Sequence, residues 1–192
     1  VSYWQSERQT YYANILEQLA LDKIIYPCFC NRTRLQSIAS APHIGELVHR
    51  YDGKCRHLSK NDIDELYSMK EPSLRLAINS CNLEFDDRWQ GTQYIHLDSE
   101  LDDYVLRRGD GMYAYNLAVV LDDIAMGITE IIRGDDLLDT TGQQLYLYKI
   151  LQQCYPHNHI EVPKYGHAPL LVDIDGHRLS KRQKSITIRE LR

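Results

Sequence analysis

The sequence predicts an α/β domain interrupted by an insertion, and three observations carry that prediction. Apolar residues recur at helical spacing in two separated stretches, at Tyr12, Ile15, Leu16 and Leu19 and again at Leu147, Ile150, Leu151 and Cys154. Short runs of extended character stand between them, among them 92–97 and 127–132. A turn-rich stretch carrying three of the five cysteines breaks the alternation.

Taken in order, Ser6 to Gln9 reads as a capping box, with Ser6 at the N-cap and Gln9 reaching back, opening the first amphipathic helix. Ile24 to Tyr26 reads as a short extended segment stopped by Pro27. Residues 31–54 are poorly periodic and need a staple to hold them. Strand-like runs follow at 74–78 and 92–97. The texture changes at Arg107-Arg108-Gly109-Asp110-Gly111. Residues 115–121 are almost wholly apolar and fit a buried helix or a buried strand equally well. The run 127–132 reads as a strand ending at Arg133. Thr141 and Gln144 form a second capping box before the last helix, and 170–172 reads as a final strand.

Composition sets limits on function. With 192 residues, 43% hydrophobic and 26% charged, the chain is long enough for one full core and ordinary for a globular protein. No apolar run approaches membrane-spanning length, and the first residues do not form a signal peptide, so no membrane partner is expected. An odd, scattered set of five cysteines argues against a disulfide framework and for a cytoplasmic setting. The net charge of −5 argues against a general polyanion binder, although Lys181-Arg182-Gln183-Lys184 is a local basic patch. The chain begins with Val1, and the sequence reads as though something upstream is missing.

Cys28 and Cys30 stand one residue apart, poorly spaced for a mutual disulfide but able to face one ion. Cys55 is the natural third ligand of a tetrahedral zinc site. The fourth is His57, in a Cys-x-His pair, or Tyr51 through its phenolic oxygen. Four protein ligands leave no open position, so the zinc is structural. The bland alternative is three buried thiols, the role assigned to Cys81 and Cys154. His43-Ile44-Gly45-Glu46 approaches a nucleotide-binding motif, but Glu46 stands where a His is needed, and the match reads as coincidence.

Two basic features remain. The loop Arg178-Leu179-Ser180-Lys181-Arg182 ends in a Ser-Lys pair suited to a phosphate whose charge develops in the transition state; a solvated basic face is the competing reading. Arg133 closes a strand, where α/β sheets bind ligands, and could hold a carboxylate in bidentate fashion. An ion pair with Asp135 or Asp136 explains it equally well. Tyr115 has packing as its simplest role.

In this order, the segments Gln5-Ser6-Glu7-Arg8, Tyr26-Pro27-Cys28-Phe29-Cys30, Tyr51-Asp52-Gly53-Lys54-Cys55-Arg56, 114–123, 127–138 and 176–182 together resemble the glutamyl-tRNA synthetase family of class I aminoacyl-tRNA synthetases. Within that family the chain is most similar to the short paralogue that lacks an anticodon-binding domain. The resemblance implies a Rossmann-like catalytic domain in two parts, 1–27 and 106–192, around a zinc-containing insertion at 28–105. It implies zinc held by Cys28, Cys30, Tyr51 and Cys55, with His57 as the alternative fourth ligand. Glutamate would be bound by Tyr115 and Arg133, and ATP, with Mg²⁺, by Lys181 in the loop equivalent to the Lys-Met-Ser-Lys-Ser motif. The implied activity is formation of glutamyl-adenylate and transfer of glutamate to queuosine of tRNA(Asp), by a monomer. Charging of tRNA(Glu) and a zinc-stabilised RNA-binding module without catalysis are the alternatives. The family's first strand and its His-Ile-Gly-His motif are expected but not found in the sequence, so the chain alone is expected to be catalytically incomplete.

Overall fold

The structure, a computed structural model, describes residues 3–31, 33–35 and 51–172. Helix α1 (Gln9–Leu21) buries Tyr12, Leu16 and Leu19, the stripe its spacing predicts. The Ser6 capping box does not form. Gln5–Glu7 is a 3₁₀ turn, Arg8 is the N-cap, and no side chain caps the helix. The reason is long-range: Arg8 donates from Nε to buried Asp122 at 2.5 Å, which fixes the entry to α1 more firmly than a local cap. Gln5 and the Tyr12 hydroxyl also donate to Asp122, at 3.0 and 2.8 Å.

Strand β1 (Ile25–Cys28) runs through Pro27 rather than stopping at it. β1 is the edge of a three-stranded sheet ordered β1, β2 (Ser73–Leu76), β5 (Tyr104–Arg107), and an edge strand tolerates a residue with no N–H. Helix α2 (Lys60–Met69) starts at a complete capping box formed by Ser59 and Asp62, which sequence reading passed over. Asp103 ties this region together. Its side chain accepts from the Tyr26 hydroxyl at 2.6 Å, the Ile78 N–H at 2.6 Å and Arg56 Nη1 at 3.1 Å.

The second sheet has the order β4 (Gly91–Leu97), β3 (Cys81–Asp87), β7 (Lys164–Ala168), β6 (Glu130–Gly134). β3 and β4 form an antiparallel hairpin, while β7 pairs in parallel with β6 and, at Asp87 and Tyr165, with β3. Helix α4 (Thr141–Cys154) connects β6 to β7, as a parallel pair requires. The ambiguous run at 115–121 is helical, part of α3 (Tyr115–Met126). Gly127, at φ +67, ends α3 in the left-handed conformation that glycine reaches without strain, so the strand starts at Glu130 rather than Gly127. Thr141 and Gln144 do not form the expected box, because both side chains face Arg133. Leu171 and Val172 are exposed and no strand spans 170–172; the last described strand, β7, ends at Ala168, two residues before Leu170.

The main core joins α1, α3 and α4 to both sheets through Leu16, Leu19, Leu76, Leu106, Leu117, Leu121, Leu147 and Leu151. Cys81 and Cys154 pack against it, partly buried. No described helix is long and apolar enough to cross a membrane.

Candidate functional site

Arg133 lies at the carboxyl end of β6, directly beside His167 in the parallel register with β7. Its Nε donates to His167 Nε2 at 2.9 Å, Nη1 to Gln144 Oε1 at 2.8 Å, and Nη2 to Thr141 Oγ1 at 2.8 Å and the Leu137 carbonyl at 3.4 Å. Neither Asp135 nor Asp136 is among these partners. A guanidinium has five N–H donors; among the described residues four of these directions are engaged, leaving one on Nη1. Held this way, the group offers a ligand carboxylate one hydrogen bond rather than the bidentate fork expected from the sequence. Gln144 is itself oriented: its amide nitrogen donates to Asn116 Oδ1 at 2.9 Å, and Asn116 donates to Gln143.

Tyr115 opens α3 and is half exposed. The Arg133 guanidinium lies 5.3 Å from the centre of the Tyr165 ring. Burial pushes the Tyr165 hydroxyl up, Arg133 opposes the shift, and Asp123 and Tyr115 add to the rise. The hydroxyls of Tyr148 and Tyr165 are buried without a hydrogen-bond partner among the described residues. Burial, with the adjacent Asp122 charge, raises Asp123 to about 6, while Arg133 opposes the shift. A cavity of about 790 Å³ opens nearby, between Phe85, Glu130, Ile132, Val162 and Lys164, but Arg133 is not among its walls.

Sequence reading missed His167 and Asp87, both with fully buried side chains. Eighty positions separate them, so no local spacing announces the pair. Burial opposes ionisation of Asp87, but bonds from the His167 ring and from the backbone N–H groups of His167, Gln90 and Trp89 outweigh it and hold the carboxyl at about 2.

The second cluster is a candidate metal centre. Cys28, Cys30 and Cys55 bring their sulfurs within 4.8 Å of one another. The Cys30 and Cys55 sulfurs are 3.7 Å apart, and the Tyr51 oxygen lies 3.5 Å from Cys28 and 3.9 Å from Cys30. Tetrahedral zinc with bonds of about 2.3 Å to sulfur and about 2.0 Å to oxygen separates two sulfurs by about 3.8 Å and sulfur from oxygen by about 3.5 Å. The donor set therefore fits such an ion. The Cys55 N–H donates to the Tyr51 oxygen at 2.8 Å, turning that oxygen toward the thiols. His57 is exposed and lies outside the cluster, beside Lys23 and Tyr26 on another concavity. Two cations border the site: Arg75 lies 3.8 Å over the Tyr51 ring, and Arg34 donates to the Cys30 sulfur at 3.4 Å.

The loop Arg178-Leu179-Ser180-Lys181-Arg182 and the His43-Ile44-Gly45-Glu46 stretch lie outside the described residues.

The glutamyl-Q tRNA(Asp) synthetase of Nitratidesulfovibrio vulgaris is 43% identical over 191 residues, which is 99% of this chain and 57% of that protein. That of Symbiobacterium thermophilum is 40% identical over 192 residues, again with 57% of its length matched. The chain thus spans little more than half the length of the curated relatives it matches. Among solved structures, glutamate-tRNA synthetase from Elizabethkingia anophelis superposes with a TM-score of 0.72 at 25% identity, over 95% of this chain and 37% of that one. The expected class I synthetase fold is therefore borne out. Residues 1–191 match the family described as tRNA synthetases class I (E and Q), catalytic domain, and the chain belongs to that family.

Proposed function

We propose that the protein to which this chain belongs activates L-glutamate with ATP and transfers it to queuosine of tRNA(Asp). The observation that carries the reading is Arg133, fixed at the carboxyl end of β6 with one N–H still available among the described residues. Arg133 neutralises and orients a glutamate carboxylate while Tyr115 borders the bound amino acid. A glutamate carboxylate oxygen attacks the ATP α-phosphorus, the bond to the leaving pyrophosphate breaks, and glutamyl-adenylate forms. A hydroxyl of the queuosine cyclopentenediol then attacks the acyl carbon, loses its proton and releases AMP. Positioning supplies the acceleration in both steps. Lys181 and the rest of the loop 178–182 neutralise the phosphates, and Mg²⁺ enters with ATP as part of the substrate.

Cys28, Cys30, Tyr51 and Cys55 hold zinc, with Tyr51 favoured over His57 by position. Bound there, the ion supplies a closed structural cross-link with no open coordination site. It steadies an insertion at 28–105 between the two catalytic parts, 1–27 and 106–192. The protein acts as a monomer in the cytoplasm, where tRNA, ATP and glutamate meet. The names of the similar proteins support tRNA(Asp) as acceptor, and the solved glutamate-tRNA synthetases favour tRNA(Glu) as the second reading.

The activation step is tested by glutamate-dependent exchange of pyrophosphate into ATP, using the protein with any natural flanking sequence. Exchange is expected with L-glutamate and not with L-glutamine. Arg133→Ala should weaken glutamate binding by about tenfold or more, the worth of one hydrogen bond to a charged group. Exchange that ignores glutamate would contradict the reading.

A further inference from the structure

His167 stands between a buried carboxylate and a guanidinium, and hydrogen-bond bookkeeping leaves it one protonation state. Arg133 Nε–H is always a donor and never an acceptor. It points at His167 Nε2 from 2.9 Å, so that nitrogen must present a lone pair. The one ring proton then sits on Nδ1 and is donated to Asp87 Oδ2, 2.6 Å away. A doubly protonated ring would set N–H against N–H and place two cations side by side. The hydrogen bonds therefore call for the Nδ1–H tautomer.

The packing leaves little freedom for another arrangement. The imidazole lies parallel to the Tyr165 ring, with centroids 6.1 Å apart, and its edge faces Phe85. Asp87 Oδ1 also accepts from the His167 backbone N–H at 3.1 Å, locking strand β7 to the same carboxylate. Thr141 Oγ1 stands 3.3 Å from His167 Nε2 and binds Arg133 Nη2, so both residues are fixed against the start of α4. The charge of Asp87 reaches Arg133 through the ring, and the three side chains together are neutral.

We propose that His167 is a positioning residue: held by Asp87 as the Nδ1–H tautomer, it accepts the Arg133 Nε–H and thereby sets which N–H of the guanidinium faces the substrate carboxylate. The functional part of this rests on the glutamate-binding role of Arg133; the tautomer and the hydrogen bond do not.

The test uses nitrogen-15 NMR of the protein labelled in histidine and arginine, with two variants. His167→Gln places a carbonyl oxygen near the Nε2 position and keeps an acceptor for Arg133. His167→Asn keeps a donor to Asp87 and loses that acceptor. At neutral pH the wild-type ring should carry its proton on Nδ1 and none on Nε2. The Arg133 Nε–H should exchange slowly with solvent in wild type and His167→Gln, and rapidly in His167→Asn. Glutamate binding, measured by calorimetry, should weaken about tenfold in His167→Asn and far less in His167→Gln. A ring protonated on Nε2, or Arg133 exchange and glutamate affinity equal in the two variants, would overturn the proposal. If wild type binds no glutamate while the tautomer and the slow Nε–H are both found, the relay is upheld and the glutamate reading is the part that fails.

Discussion

Asp122 is the residue on which the amino-terminal segment depends. Arg8, Tyr12 and Gln5 all converge on its carboxylate, and Arg8 Nη2 is already buried without a partner among the described residues. Removing the acid leaves a buried guanidinium uncompensated, which costs about 3–5 kcal/mol. Asp122→Ala should lose that much stability in urea unfolding, and a loss under about 1 kcal/mol would mean that water replaces the carboxylate. Its neighbour Asp123 behaves in the opposite sense. With its acid raised to about 6 by burial and by Asp122, the folded state holds a proton more tightly than the unfolded chain, whose reference is about 3.9. The stabilising contribution is present in full below the unfolded value and is lost as pH rises through about 6. Asp123→Asn should thus stabilise the protein at neutral pH, with the gain vanishing near pH 4; a gain that persists at that pH would assign the effect to packing. At this scale the sequence was half informative. Arg133, Tyr115 and the cysteines stood out by residue type and position, whereas Asp87 and His167 meet only because β3 and β7 become neighbours.

Elements with a local cause were the legible ones. The α1 stripe, the α4 stripe and the extended run at 92–97 follow from spacing alone, and each appears where expected. Local signals failed where a distant partner outbid them. Arg8 prefers Asp122 to a capped turn, and Thr141 and Gln144 turn to Arg133 instead of to their own backbone. Strand β5 escaped notice because four residues are too few to show a period. The cysteine-bearing segment has a small core of its own, in which Cys28, Tyr51 and Cys55 are buried with Tyr26, Cys30, Leu35 and Leu58 packed around them. Its order should therefore depend on the metal. Tyr51→Phe should lower zinc retention against a chelator by about tenfold or more, in line with loss of a direct or outer ligand, while His57→Ala should leave it unchanged. Zinc held equally by Tyr51→Phe but lost from His57→Ala would reverse the ligand assignment.

At the scale of the whole molecule, two small sheets share one core, and the two candidate centres sit on different ones. The cysteines cluster at the end of β1 in the three-stranded sheet, and Arg133 lies on β6 in the four-stranded sheet. The hairpin β3–β4, inside the stretch expected to be the insertion, joins the same sheet as β6 and β7 and supplies Asp87 to the Arg133 relay. Sequence alone cannot expose such a join, because parallel pairing links segments that are far apart in the chain. In the proposed function both candidate centres serve one reaction, glutamate transfer to a modified base. The most direct test incubates the protein, with any natural flanking sequence, with ATP, radiolabelled glutamate, and queuosine-containing tRNA(Asp), queuosine-free tRNA(Asp) or tRNA(Glu). Label on queuosine-containing tRNA(Asp) alone is the predicted result. Label on tRNA(Glu) instead, or on no tRNA, would contradict it.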